Sequence, residues 1–132
     1  MNRLNISINS ELAEMRLVEN FILNFCTVFD LPSELYGRVT LSVIEAVNNA
    51  ILHGNKMESS KLVTIVAQKS KDFLQVTITD EGLGFDYTKI SDPTLPDAMF
   101  NSSGRGLYIM RTLSDKLIFE KNGASVSMLF ML

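Results

Sequence analysis

VIEAVNNAILHGN, from Val43 to Asn55, has the apolar spacing of an amphipathic helix with an unusual polar side. At about 100° per residue, Val43, Ile44, Val47, Ala50 and Ile51 share one face. Glu45 and Asn49, four residues apart, lie on the opposite face with Asn48 beside them. A merely solvated face would not favour two asparagines, whose amides compete for backbone partners and lower helix propensity. A face that binds something explains them better. Gly54 is placed to end the helix as a left-handed C-cap.

Around this helix the chain reads as one α+β domain over residues 1–132. The alternation in Arg3–Ser10 gives a half-buried first strand, and Ser10 is positioned to cap a helix over Glu11–Phe29. That helix has the stripe Met15, Val18, Ile22, Phe25 and Phe29, widened by Leu17, Phe21 and Val28 beyond what one sheet face needs. Thicker core is the plain explanation of the excess; a subunit interface is the sharper one. Pro32 suits the first turn of the next helix, and Gly37 within it marks close packing or a late start. Lys61–Lys69 and Phe73–Asp80 alternate and are β-branched, which predicts a hairpin. Periodicity then disappears from Glu81 to Gly104, a length typical of a functional or mobile loop. It resumes as a helix over Arg105–Asp115, followed by strands at Lys116–Glu120 and Ala124–Met131 turned by Lys121-Asn122-Gly123. Helices and strands in clusters predict a two-layer sandwich, three main helices on one face of a mixed, largely antiparallel sheet.

Composition narrows the function classes. A net charge of −3 argues against a general nucleic-acid binder. No apolar run approaches the roughly 20 residues of a membrane span, and no secretory leader is visible at the N-terminus. The single Cys26 precludes an internal disulfide or cysteine zinc cluster, and its apolar neighbours make it a core thiol. These features suit a soluble cytoplasmic protein.

Two further motifs carry chemistry. DEGLGF (Asp80–Phe85) ends a strand with an acid that can accept a hydrogen bond from an amine, followed by glycines that admit close backbone approach. GRGL (Gly104–Leu107) reads as a helix opening, where free N–H groups and the dipole suit phosphate. No P-loop sequence is present. Each motif is weak alone. Their order, an acid-and-amide helix, then Asp-x-Gly-x-Gly, a loop and Gly-x-Gly-Leu, resembles the GHKL (Bergerat-fold, histidine-kinase-like) ATPases. Within that superfamily the chain is most similar to the bacterial anti-sigma-factor serine/threonine-protein kinases, over nearly its whole length.

The resemblance implies roles. Glu45 matches the catalytic base and Asn49 the Mg²⁺-coordinating asparagine that also binds nucleotide. Asp80 matches the residue that reads the adenine amino group, with Gly82 and Gly84 in the same box. Gly104, Arg105, Gly106 and Leu107 match the second glycine box, beside the phosphates of ATP. The implied activity is ATP-dependent phosphorylation of a serine on an anti-sigma-factor antagonist, coupled to sequestration of a sigma factor, by a homodimer that binds neither nucleic acid nor membrane. The last hairpin departs from the pattern, because Ala124 follows Gly123 where many relatives carry threonine. The alternative is a nucleotide-binding regulatory interaction module without phosphotransfer. His53, the sole histidine, reads as a helix-end residue, and no separate phosphoacceptor helix is present.

Overall fold

The computed structural model describes residues 2–84 and 102–132, with residues 102–104 described by backbone alone. In chain order the regular elements are β1 (Arg3–Asn9), α1 (Met15–Val28), α2 (Tyr36–Asn49), β2 (Leu62–Lys69), β3 (Phe73–Thr79), α3 (Ser102–Leu113), β4 (Lys116–Glu120) and β5 (Ser125–Met131). The strands form one sheet in the order β1-β2-β3-β5-β4, and all four pairings are antiparallel. The three α-helices among the described residues cover one face, giving the two-layer α+β sandwich that the clustering of elements predicts.

Strand alternation sets which face the helices cover. One row across the sheet reads Ile6, Ile65, Ile78, Val126 and Phe119, and the next Leu4, Ala67, Val76, Met128 and Leu117. Both rows belong to the core or pack against it. The intervening rows carry Ser7, Thr64, Thr79 and Ser125, then Asn5, Val66, Thr77 and Ser127. Their hydroxyls pair across strands, Ser7 with Thr64 at 3.1 Å and Thr77 with Ser127 at 2.8 Å. A one-residue slip would reverse the faces, so the register is strongly specified.

Helix α1 buries Val18, Phe21, Ile22, Phe25 and Cys26. Burial pushes the Cys26 thiol up to about 11, which keeps it protonated and unreactive in the core. Phe21 is core, whereas Leu17 and Val28 are half exposed, so only part of the widened stripe faces outward. Helix α3 packs along α2 and is tied at its end by Arg38. Arg38 Nε donates to the Leu113 carbonyl (2.9 Å), and its guanidinium reaches Asp115, which accepts the Met131 N–H.

Several local expectations are corrected. Ser10 caps no helix: it is fully buried and its hydroxyl donates to the Lys61 carbonyl at 2.6 Å. A short 3-10 turn, Leu12–Glu14, precedes α1 instead. Among the described residues nothing lies within 4 Å of where a Cβ on Gly37 would stand, and α2 begins only at Tyr36, so the late start explains it. Gly54 is not left-handed; Lys56 and Met57 take that conformation after the helix has run out in a π-helical turn, Ala50–Gly54. Helix α3 begins at Ser102, so the GRGL glycines lie within its first turns rather than before it. The rest of the expected loop, residues 85–101, lies outside the described residues.

Candidate functional site

A cleft partly open to solvent lies between α2, α3 and the covered face of β3, β4 and β5. Ala46, Asn49, Ala50, His53 and Gly54 recur at steps of three and four, so one stripe of α2 and its π-helical extension forms a wall. π-Helical turns are frequent at functional sites. Leu107 and Met110 of α3 form a second wall, and Ile78, Phe119 and Val126 of the sheet form the floor. The floor is apolar, and Asp80 and Gly84 enter from the end of β3.

Asp80 is the charged group of this lining. Its N–H donates to the Ala124 carbonyl at 2.9 Å, which joins it to β5. Its Oδ1 accepts the Gly82 N–H at 2.7 Å. Burial raises its pKa above the usual carboxylate range, while the Gly82 N–H and the Lys61 ammonium draw it partly back. The glycines around it are required by space. A Cβ on Gly54 would run into the Asp80 carboxylate, and one on Gly82 into the Gly54 carbonyl. Gly84 has φ +86°, and a Cβ there would collide with the Asn122 carbonyl of the β4–β5 turn. The first glycine motif is thus wedged between two other parts of the chain.

Glu45 and Asn49 come together with Gly106. A Cβ on Gly106 would stand 3.1 Å from Glu45 Oε2 and 3.1 Å from Asn49 Nδ2, so glycine lets α3 close against that pair. Glu45, Asn48 and Asn49 are each half-buried, rather than lying on a solvated face. Asn49 lines the cleft; Glu45 stands one turn earlier, beyond the lining. Of the other expected residues, Leu107 and Gly84 line it, Gly82 braces Asp80, and Arg105 is exposed on α3 outside the lining. Gly104 lies in the first turn of α3, and its surroundings are outside the described residues.

Sequence reasoning missed three contributors. His53 lines the cleft instead of merely ending a helix, and Ala124 lies in the wall and supplies a carbonyl to Asp80. Asn55, fully buried, hydrogen bonds to three separate parts of the chain. Its place at the end of HGN was visible; its partners were not.

The arrangement offers an apolar slot with one carboxylate aimed inward, suited to a flat heterocycle bearing an amine, and an amide-and-carboxylate pair nearby. Both members of that pair offer the oxygen donors that a hard cation prefers. Among the described residues no group of three or more His, Cys, Asp or Glu could hold a metal by itself. No helix among them is long and apolar enough to cross a membrane.

Residues 8–130 match the histidine kinase-like ATPase domain family. The chain is 33% identical over 102 residues to the anti-sigma F factor of Clostridium perfringens strain SM101, covering 74% of this chain and 73% of that one. It is 30% identical over 95 residues to the serine-protein kinase RsbW of Bacillus subtilis, covering 67% of this chain and 59% of the relative. Among solved structures, the RsbU and RsbW domains of Rv1364c from Mycobacterium tuberculosis align with a TM-score of 0.69 at 13% identity. That alignment covers 98% of this chain and 32% of the other, and it supports the fold.

Proposed function

The chain belongs to the histidine kinase-like ATPase domain family, and on that premise we propose that it is an ATP-dependent protein serine kinase acting as an anti-sigma factor. It phosphorylates an antagonist protein on serine and sequesters a sigma factor when the antagonist is phosphorylated. The observation that carries this reading is the convergence of Asn49, Asp80, Gly84 and Leu107, three separate sequence motifs, on one cleft. Relatives named anti-sigma F factor and serine-protein kinase support it from the other side.

In this reading the adenine occupies the apolar slot, and its amino group donates to Asp80. The glycines 82 and 84 bring backbone against the ring, while Gly104, Arg105, Gly106 and Leu107 meet the phosphates. Asn49 would supply an amide oxygen to hold Mg²⁺, a hard cation that prefers oxygen ligands. When bound, the cation neutralises charge on the transferring phosphoryl group. Glu45 accepts the serine hydroxyl proton as the oxygen–phosphorus bond forms and the bond to the β-phosphate oxygen breaks, releasing ADP. Glu45 speaks against a nucleotide-binding module without phosphotransfer, since binding alone needs no base.

We read residues 1–132 as one such domain, cytoplasmic and homodimeric, with the half-exposed Leu17 and Val28 of α1 as candidate interface residues. The segment from Leu83 to Ser103 is the proposed antagonist contact; residues 85–101 of it lie outside the described residues. A phosphoserine there adds about two negative charges beside the nucleotide phosphates, so the product is repelled. Incubation with Mg-ATP and antagonist candidates, followed by mass spectrometry, tests the activity. Phosphoserine on the antagonist is expected; nucleotide binding without any transfer would leave only the module.

A further inference from the structure

Asn55 follows the helix that carries Glu45 and Asn49, yet it lines no part of the cleft. It has no exposed surface, and its side chain is satisfied on both ends. Nδ2 donates to Ser10 Oγ at 2.8 Å and to the Leu62 carbonyl at 2.9 Å. Oδ1 accepts the Glu81 N–H at 2.8 Å. Its own N–H donates to the Ala50 carbonyl at 2.8 Å, closing the π-helical turn. One amide therefore joins the exit of α2, the end of β1, the start of β2 and the turn after β3.

The last of these joins matters for Asp80. The Glu81 N–H belongs to the peptide that follows Asp80, and the next N–H, from Gly82, holds Asp80 Oδ1. Gly54, the residue before Asn55, approaches the same carboxylate so closely that a Cβ there would overlap it, and its carbonyl occupies the place of a Cβ on Gly82. Asn55 thus ties together Gly54 and the Glu81–Gly82 turn, the two segments in closest contact with the Asp80 carboxylate. A buried amide is stable in a core only with its partners made, so this junction has one arrangement.

We infer that Asn55 is a positioning residue whose buried amide, by holding the Glu81 peptide, aims the Asp80 carboxylate at the base of the bound nucleotide. The inference rests on the reading of Asp80 as the adenine contact. Loss of the Asn55–Glu81 bond frees the turn, lets the carboxylate swing, and weakens discrimination between a base that donates at this position and one that accepts. Loss of the Ser10 contact loosens only the far end. Base discrimination therefore separates aiming from simple stabilisation, which a melting temperature cannot do.

The test compares ATP and GTP binding by calorimetry for wild type, Asn55→Leu, Asn55→Asp and Ser10→Ala, with melting temperatures alongside. Asn55→Leu fills the volume without hydrogen bonds, and its ATP:GTP affinity ratio is expected to fall about tenfold, the loss of one well-formed hydrogen bond to a charged group. Asn55→Asp keeps an acceptor for Glu81 and should keep the ratio despite a lower melting temperature. Ser10→Ala should lose stability at an unchanged ratio. A folded Asn55→Leu with the wild-type ratio, or a Ser10→Ala that loses the ratio equally, overturns the inference. If Asn55→Leu does not fold, slow amide exchange at Glu81 in the wild-type protein decides the bond itself, and fast exchange overturns it. Wild type that binds neither nucleotide refutes the ATP reading instead, while Glu81 exchange still reports on the Asn55 bond.

Discussion

Gly54 and Asp80 touch across the wall of the cleft: a single Cβ on Gly54 would overlap the Asp80 carboxylate. The backbone at Gly54 is not left-handed, so what makes alanine sterically foreign there is the Asp80 carboxylate. Gly54→Ala should therefore displace the carboxylate and weaken ATP binding by at least about tenfold. Overpacking typically costs about 1–3 kcal/mol of stability as well. Calorimetry with Mg-ATP and a urea melt check the two effects, and unchanged ATP affinity would contradict the contact.

Asp80 also predicts opposite pH trends for binding and stability. Its folded pKa is raised by burial, so between the unfolded and folded values the native state holds more protons. Stability conferred at this site falls as pH rises through that window, and the ionised carboxylate opposes folding at neutral pH. Asp80→Asn should accordingly melt higher than wild type at pH 7, with the advantage vanishing below the ordinary carboxylate range. In the proposed function the ionised form accepts the adenine amine, so wild-type ATP affinity should drop as pH is lowered through the raised pKa. In Asp80→Asn it should be weaker, independent of pH in this range, and less selective for adenine over guanine. Melting and calorimetry across pH check both trends.

Ser42 lies on α2 with no exposed surface, and its hydroxyl has no hydrogen-bond partner among the described residues. Burying a hydroxyl without a partner costs about 1–3 kcal/mol, and alanine is the better helix former. Ser42→Ala should raise the unfolding free energy by about 1 kcal/mol, read as a higher urea midpoint at constant slope. A lower midpoint would mean that the hydroxyl has a partner.

Much of the site was legible because its signals are local. Glu45 and Asn49 are one helical turn apart, and Asp80, Gly82 and Gly84 follow one another in a single turn, so spacing alone groups them. Long-range contacts were hidden. Asn55 finds Ser10 across 45 residues and Glu81 across 26, and no periodicity reports such partners. Ser10 was misread for the same reason: a serine before a helix is a natural cap, but burial against Lys61 and Asn55 claimed it first. Gly54 was rightly singled out and wrongly explained, since its need is space beside Asp80 rather than a left-handed turn. The start of α3 at Ser102 was missed because serines and a glycine carry little helical periodicity.

Glu45 is proposed to act in phosphotransfer and not in nucleotide binding. It stands beside Asn49 and Gly106 but outside the lining of the cleft, so its removal should leave the slot for adenine untouched. The direct measurement is single-turnover phosphorylation of the antagonist serine at saturating Mg-ATP, for wild type and Glu45→Ala, with ATP affinity determined for both. Equal affinity is expected, with a rate lowered by about 10²–10⁴-fold, the contribution of a positioned base. Equal rates for the two proteins would contradict it.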